Sequence, residues 1–197
     1  MTRKLQNILV TGGSGFIGSN FIHYLFGLSA RDTQASNKTK DTPLFADSGF
    51  SGTIVNVDCL TYCGNPESLA DVDAVFGKEA VKNGNGQRYF FEQVDICNRT
   101  EIERILTQYN IDTIVHFAAE SHVDRSILGP EAFVKTNVMG TFTLLDAARN
   151  YWTETSRDGA KKIRRDVLFH HISTDEVYGS LGETGYFTET TPYDPRS

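Results

Sequence analysis

The fold of this chain is set by a short apolar segment that runs straight into a glycine-rich turn. Asn7 to Val10 is predicted as a strand, and it leads into the segment TGGSGFIG at residues 11–18. Apolar residues then recur at helical spacing as far as Leu28, so a helix is predicted to begin inside the glycine run. A strand, a glycine turn and a helix in this order are typical of a nucleotide-binding βαβ unit.

Three glycines of this turn have separate physical tasks in such a unit. Gly12 makes the tight turn, Gly15 lets the backbone approach a pyrophosphate, and Gly18 lets the helix pack closely on the strand. The amino end of the helix adds N–H donors and a positive dipole. A plain glycine-rich turn is the alternative, but the position between a strand and a helix favours a dinucleotide site.

Strands and helices alternate along the rest of the chain. Further strands are predicted at 53–58, 89–94, 113–118 and 167–172, and helices at 16–28, 66–80, 101–109 (capped by Thr100) and 130–152. This alternation predicts right-handed βαβ units and a doubly wound, mostly parallel α/β sheet of the Rossmann kind, spanning residues 1–197 as one domain. The polar segment 30–52 is predicted as a surface loop, and the tail after Gly182 as turns.

The composition argues against several classes of binding partner. A net charge of -6 argues against nucleic acid or an anionic membrane, because both reward clustered Lys and Arg. Cys59, Cys63 and Cys97 lack zinc-site spacing, so no metal is predicted, and we expect reduced thiols in or near the core. The apolar segment near the amino terminus is too short for a signal peptide or a membrane span, which favours the cytoplasm.

Acidic residues follow two of the predicted strands. Asp58 ends the second strand, where an acid hydrogen-bonds a ribose 2′-hydroxyl and repels a 2′-phosphate, so NAD is favoured over NADP. The distance from the glycines is about twice the usual ~20 residues, and the loop 30–52 accounts for the excess. The alternative is that Asp58 is a simple turn residue. Asp95 follows the third strand and either accepts from an adenine amino group or caps the next loop.

Two hydroxyls and two carboxylates follow the last predicted strand. Ser173, Thr174, Asp175 and Glu176 stand where open α/β sheets usually hold their ligands. Two adjacent carboxyls can supply an acid and a base at once when their surroundings separate their pKa values. Solvated surface charge is the alternative for such a pair.

Four segments together resemble a known family. They are TGGSGFIG (11–18), DCLTYCGN (58–65), FAAESHVDRS (117–126) and HISTDEVYG (171–179). The chain resembles the dTDP-glucose 4,6-dehydratases, which belong to the extended short-chain dehydrogenase/reductase family. The Thr-Asp-Glu triplet distinguishes these enzymes from the sugar-nucleotide epimerases and decarboxylases that share the glycine loop.

The resemblance implies a set of roles. NAD would be the cofactor and dTDP-glucose the substrate, and the intact enzyme would be a homodimer built partly on the helix 130–152. Thr174, Asp175 and Glu176 would be catalytic, with Asp175 as acid and Glu176 as base, and Ser121 and Thr174 would contact the sugar. The implied cofactor contacts are Gly12, Gly15, Phe16, Ile17, Gly18, Asp58, Cys59, Leu60, Thr61, Asp95, Ile96, Phe117, Ala118, Ala119, Glu120, Ser121 and Thr136.

One motif of the family is absent. The oxidation step uses a Tyr-x-x-x-Lys pair, and no tyrosine of this sequence has a lysine four positions later. In the family the pair follows the segment that matches Pro192 to Ser197. The chain is therefore expected to be the amino-terminal portion of a longer enzyme, with an incomplete sheet and no turnover alone. A non-catalytic NAD-binding fragment and a UDP-sugar epimerase or decarboxylase are the alternatives.

Overall fold

A parallel sheet forms the frame of the computed structural model, which describes residues 5–28, 49–82, 84 and 86–196. The strands are β1 (Asn7–Thr11), β2 (Thr53–Asp58), β3 (Tyr89–Gln93), β4 (Thr113–His116), β5 (Thr153–Thr155), β6 (Lys161–Ile163) and β7 (Leu168–His171). Five of them form one sheet in the order β3-β2-β1-β4-β7, and every neighbouring pair is parallel. Most of the predicted loop 30–52 lies outside the described residues.

Strand order decides where the sheet can bind a ligand. In register, Thr11 at the end of β1 lies opposite Val57 of β2 and His116 of β4. Because all five strands are parallel, their carboxyl ends meet at one edge. The order reverses between β1 and β4, and a doubly wound sheet binds ligands in the crevice at such a switch point. The doubly wound prediction is confirmed.

Helices cover both faces of this sheet. They are α1 (Phe16–Phe26), α2 (Ala70–Phe76), α3 (Lys78–Lys82), α4 (Arg99–Gln108), α5 (Val123–Leu128), α6 (Pro130–Phe133) and α7 (Thr141–Tyr151), with a π-helical segment (Val134–Gly140) between the last two and 3-10 turns at Pro66–Leu69 and Asp175–Tyr178. Successive strand residues point to opposite faces. Leu9 therefore packs with α4 and α7, while Ile8 and Val10 pack with α1 and α2.

Helix boundaries follow local chemistry. α1 ends at Phe26 and is capped by Gly27, whose φ of 68° is left-handed and whose N–H donates to Tyr24 O. α4 begins at Arg99 because the Asn98 side chain accepts from Glu101 N–H at 3.3 Å. The prediction that Thr100 caps this helix is therefore wrong.

Several other predictions need correction. The helix predicted over 66–80 is broken at Gly77, whose extended backbone (φ -85°, ψ -152°) separates α2 from α3. The predicted strands 89–94, 113–118 and 167–172 are each shorter by one or two residues. The helix α5 and the antiparallel hairpin of β5 and β6 are additional elements. The helix predicted over 130–152 is present through Tyr151, with the π-helical segment inside it.

Candidate functional site

The glycine turn joins the carboxyl end of β1 to α1. A Cβ at Gly12, whose φ is +67°, would lie 2.7 Å from the backbone N of Ala118, and one at Gly18 would lie 2.3 Å from Gly12 O. Any larger residue at either position would push the turn away from β4 or from α1. A Cβ at Gly15 would meet only Gly12 O, at 3.3 Å, so this side of the turn is open.

The first turn of α1 faces solvent beside this opening. Phe16 is 86% exposed and Ile17 is 62% exposed. The first bond within the helix runs from Ser19 N–H to Gly15 O, so the amides before Ser19 have no partner within the helix. These N–H groups and the helix dipole can bind a phosphate.

Asp58 is held directly against the glycine turn. Its side chain is almost fully buried, and its Oδ2 accepts from Ser14 N–H at 3.0 Å while its Oδ1 accepts from Leu60 N–H at 2.8 Å. Leu60 takes a left-handed conformation with φ of 55°, which is unusual for a residue with a large side chain. The loop carrying Cys59, Leu60 and Thr61 is thus bent around the Asp58 carboxylate.

A buried asparagine that was not predicted from the sequence lies below the turn. Asn56 lies in β2 and donates to Ser14 Oγ at 3.1 Å and to the Tyr89 hydroxyl at 3.0 Å. Its signal in the sequence is a single amide within the apolar strand of Ile54, Val55 and Val57. The side chain links the floor of the glycine turn to β3.

Asp95 and Ile96 follow β3, one strand further out than Asp58. Asp95 Oδ1 accepts from Cys97 N–H at 2.9 Å, and Oδ2 lies 3.5 Å from Lys135 Nζ. Burial opposes ionisation of Asp95, but the Cys97 N–H bond and the Lys135 ammonium outweigh it and lower the pKa of this carboxyl. Ile96 is buried beneath Gly140, so its backbone is the part that can face a ligand.

The segment after β4 is fixed at both ends. Ala118 N–H donates to Thr11 Oγ1 at 3.3 Å, and Phe117 packs on Phe21 with ring centroids 5.4 Å apart. Asn137 then clamps Glu120, with its Oδ1 accepting from Glu120 N–H at 2.8 Å and its Nδ2 donating to Glu120 O at 2.9 Å. Ala119 and Ser121 are exposed in this segment.

The clamp comes from an unusual helix geometry. Asn137 and its neighbour Thr136, a predicted cofactor contact, lie in the π-helical segment Val134–Gly140. Such segments are rare and often occur at functional sites. Asn137 was not predicted as a site residue, because an asparagine within a helical pattern carries no distinguishing signal.

His116, at the end of β4, joins the turn to α7 and was also missed. Thr11 Oγ1 accepts from Ala118 N–H, so its own hydrogen can go to His116 Nδ1, 2.6 Å away. His116 Nε2 then donates to Thr141 Oγ1 at 3.0 Å. Burial, reinforced by neighbouring His171, lowers the pKa of His116 to about 4, so the ring is neutral near neutral pH.

The acidic loop, which carries Thr174, Asp175 and Glu176 after β7, lies at the same edge of the sheet, beyond β4. β7 pairs with β4 so that His171 lies opposite His116. Thr174 caps the following 3-10 turn, with its Oγ1 accepting from Glu176 N–H at 3.3 Å. Thr174, Asp175 and Glu176 are all exposed.

The tail folds back on this loop. Tyr178 stacks on Phe187 and contacts Tyr193, with ring centroids 5.2 and 5.5 Å away. Asp194 N–H donates to Val177 O at 3.0 Å. Tyr178 therefore packs the loop against the tail.

Hydrogen bonds therefore connect Asp58, Phe117 and Ala118 to the glycine turn, and Glu120 to the π-helical segment. Among the described residues, no hydrogen bond or ion pair joins the acidic loop to the glycine turn; they share only the carboxyl edge of the sheet. Cys59 and Cys63 are exposed, so the expectation that they lie in or near the core is wrong, while all three cysteines are free thiols. In the described part of the chain, no helix is long and apolar enough to cross a bilayer.

Comparison with known proteins gives the family. A sequence model of the family described as GDP-mannose 4,6 dehydratase matches residues 56–197. The chain belongs to this family. It is 45% identical over 197 residues to the dTDP-glucose 4,6-dehydratase of Neisseria gonorrhoeae, covering 100% of this chain and 46% of that relative. The resemblance to dTDP-glucose 4,6-dehydratases is thus confirmed, and the chain spans less than half the length of the relatives it matches.

Solved structures show the same fold. The dTDP-glucose 4,6-dehydratase of Streptomyces venezuelae, solved with NAD bound, is 38% identical with a TM-score of 0.67, and the match covers 96% of this chain and 46% of that one. The UDP-glucose 4-epimerase of Thermotoga maritima is 25% identical with a TM-score of 0.62, covering 97% of this chain and 45% of that one. A Rossmann-like fold, incomplete relative to these proteins, is therefore established.

Proposed function

We propose that the chain forms the NAD-binding part of a dTDP-glucose 4,6-dehydratase. The observation that carries this proposal is the hydrogen bond from Ser14 N–H to Asp58, which holds an acid of β2 against the glycine turn. An acid in this position accepts from ribose hydroxyls and repels a 2′-phosphate, which favours NAD over NADP. The choice of substrate is supported by the name of the gonococcal relative and by the Thr-Asp-Glu triplet.

The residues present fit this cofactor. The open side of Gly15 and the exposed first turn of α1 would take the pyrophosphate. Asp58 and the bent loop from Cys59 to Thr61 would hold the adenosine ribose, and the loop of Asp95 and Ile96 would hold the adenine. The segment from Phe117 to Ser121, with Thr136 behind it, would hold the nicotinamide end.

The acidic loop would perform the elimination. When bound, NAD would supply a hydride acceptor for C4 of the glucose and, once reduced, a hydride donor for C6, so the overall reaction would be redox-neutral. Glu176 would take the proton from C5, whose acidity the C4 carbonyl raises, and the electron pair would form the C5–C6 double bond. Asp175 would give its proton to the C6 hydroxyl, which leaves as water, while Thr174 holds the sugar.

The complete activity belongs, in this proposal, to a longer protein. The chain spans 46% of the gonococcal relative and contains no Tyr-x-x-x-Lys pair. We infer that residues 1–197 form the dinucleotide-binding domain and bind NAD without turnover, and that a carboxyl-terminal part supplies the base for C4 oxidation and a nucleotide-binding lobe.

The test compares two forms of the protein. The 197-residue chain and the full-length gene product are each mixed with dTDP-glucose and NAD, and the 4-keto-6-deoxy product is measured. We expect product from the full-length form and none from residues 1–197. In the full-length form, Asp175→Asn should preserve transient NADH absorbance while reducing product formation about a hundredfold or more.

A matched control separates this effect from a general loss of charge. Glu183→Gln removes another exposed carboxylate of the same tail and should leave product formation unchanged. An inactive full-length protein would refute the dehydratase proposal. Loss of the NADH signal in Asp175→Asn would refute the assignment of Asp175 to the elimination step.

A second candidate is a UDP-sugar epimerase, which the similarity to the Thermotoga maritima protein supports. An epimerase has no need for two carboxyls at the elimination position, so Asp175 and Glu176 favour the dehydratase. Epimerised product from UDP-glucose, with no dehydration of dTDP-glucose, would reverse this choice.

We also infer that the intact protein is a cytoplasmic homodimer. Val134, Val138, Phe142 and Leu145 form an exposed apolar stripe at helical spacing along the π-helical segment and α7. A stripe of this kind supports association between copies. The three free cysteines support a reducing compartment.

A further inference from the structure

Two loops at the carboxyl edge of the sheet meet through one side-chain stack. The guanidinium carbon of Arg125 lies 3.7 Å from the centroid of the Tyr62 ring. The His122 ring approaches the same tyrosine edge-on, with centroids 6.4 Å apart. Tyr62 remains 44% exposed, so the stack lies at the surface and not in the core.

Strand order fixes what this contact crosses. Tyr62 lies in the loop after β2, and Arg125 lies in α5, after β4. β1 runs between these two strands, and its carboxyl end carries the glycine turn. A contact between the two loops therefore bridges the part of the sheet edge where the glycine turn begins.

Both loops are anchored to the glycine turn at their bases. Asn65 N–H donates to Ser14 O at 2.9 Å, and Phe117 N–H donates to Thr11 O at 3.1 Å. Tyr62 and Arg125 thus join two loops that lie on opposite sides of β1. The glycine turn is thus linked to each loop by a backbone hydrogen bond, and the two loops are linked to each other by the stack.

The contact can also open. None of the residues of α5 is buried, and elements with so little burial open at low free-energy cost. Among the described residues Arg125 forms no ion pair with a carboxylate, and its guanidinium stacks on Tyr62 instead. Cation–π contacts at exposed sites are weak enough to break and re-form readily.

We propose that Tyr62 and Arg125 form a strap across the glycine turn that must open each time a dinucleotide enters or leaves. The proposal rests on the proposed function of the glycine turn. A strap suits a cofactor that is reduced and reoxidised within one turnover, because it slows the loss of the reduced form between the two steps.

The test measures rates and not affinity alone. In the full-length protein, Arg125→Met and Tyr62→Leu should each raise both the association and the dissociation rate of NADH about fivefold, measured by stopped-flow fluorescence. Because both rates rise, Kd should change less than about twofold. The double variant should behave like either single variant, since both remove the same contact.

Two controls complete the design. Tyr62→Phe keeps the ring and should leave both rates unchanged, and Arg165→Met removes an exposed arginine of the hairpin region with no effect. Hydrogen exchange in the absence of dinucleotide should be faster in segments 59–65 and 117–128 of Arg125→Met than in the unsubstituted protein.

The outcomes separate this proposal from the one on which it rests. Failure of the unsubstituted protein to bind NADH or NAD would refute the proposed function, and the strap with it. Normal binding with unchanged rates in Arg125→Met would refute the strap alone. A rise in the dissociation rate alone would identify Arg125 as a direct ligand of the cofactor and would also refute the strap.

Discussion

The two halves of the candidate site are built very differently. Around the glycine turn, β1 and β4 are buried over nearly their whole length, and hydrogen bonds connect Ser14, Asp58, Thr11 and His116 across four segments of the chain. Around the acidic loop, no residue of β7 is buried, and Leu168 is 43% exposed. The hydrogen bonds and ring contacts of that loop join residues close to it in sequence.

The difference shows which half is organised by this chain itself. The glycine turn has long-range partners on both sides and cannot move without disturbing the core. The acidic loop is held by β7 on one side of the sheet only, and the match covers only 46% of the gonococcal relative. A glycine-to-alanine substitution in the glycine turn should therefore lower the stability of the whole fold. The same substitution in the acidic loop should have a small effect that is confined to the loop and the tail.

The largest effect is expected at Gly12. Gly12→Ala would force an alanine into a left-handed backbone conformation, with its Cβ 2.7 Å from the Ala118 backbone. We expect the free energy of unfolding to fall by about 3 kcal/mol and dinucleotide binding to be lost. Urea denaturation and calorimetry with NAD measure the two effects. Gly182→Ala is the control, because a Cβ there meets nothing within 4 Å, and it should be neutral. Equal stability of Gly12→Ala and Gly182→Ala would contradict the difference between the two halves.

The next effect is a pH dependence that comes from His116. The pKa of His116 is about 4 in the folded state, below its ordinary 6.5, so the unfolded state binds more protons between these values. Stability should therefore be greatest above pH ~6.5 and should fall as the pH drops, by about 2 kcal/mol at pH ~5. Urea denaturation between pH ~7.5 and ~5 measures the slope.

The variant His116→Gln isolates this contribution. It removes the titrating ring, so the slope should become shallower whatever the absolute stability of the variant. An unchanged slope would show that other groups cause the pH dependence. The His171 ring lies beside that of His116, with centroids 5.1 Å apart, so His171→Gln provides the matched comparison.

Much of the fold could be predicted because the core follows periodic patterns. β2 was predicted at its observed bounds, and the carboxyl-edge location of Asp58 follows from strand order alone. The hairpin of β5 and β6 could not be predicted, because both strands are three residues long and β6 is fully exposed, so no apolar alternation marks them. The break at Gly77 depends on a backbone conformation that glycine permits but does not require.

The contacts within the site were harder to predict than its location. The motifs place Asp58 and Asp175 at strand ends, but the bond between Asn137 and Glu120 is a tertiary contact that no motif marks. His116 was hidden for a similar reason. Its bonds to Thr11 and Thr141 join residues far apart in sequence, and no spacing rule connects them.

The smallest effect is expected at Gly179, although its local geometry is as demanding as that of Gly12. Its φ is +83°, and a Cβ there would lie 2.3 Å from Asp194 O. Asp194 belongs to an exposed tail that can move away, so Gly179→Ala should lower the free energy of unfolding by less than about 1 kcal/mol, with the tail released. Urea denaturation would measure the first effect, and limited proteolysis near Asp194 the second. A loss as large as that at Gly12 would mean that the acidic loop is coupled to the core as tightly as the glycine turn is. Unchanged proteolysis would mean instead that Tyr178 and its aromatic neighbours hold the tail without the bond from Asp194 to Val177.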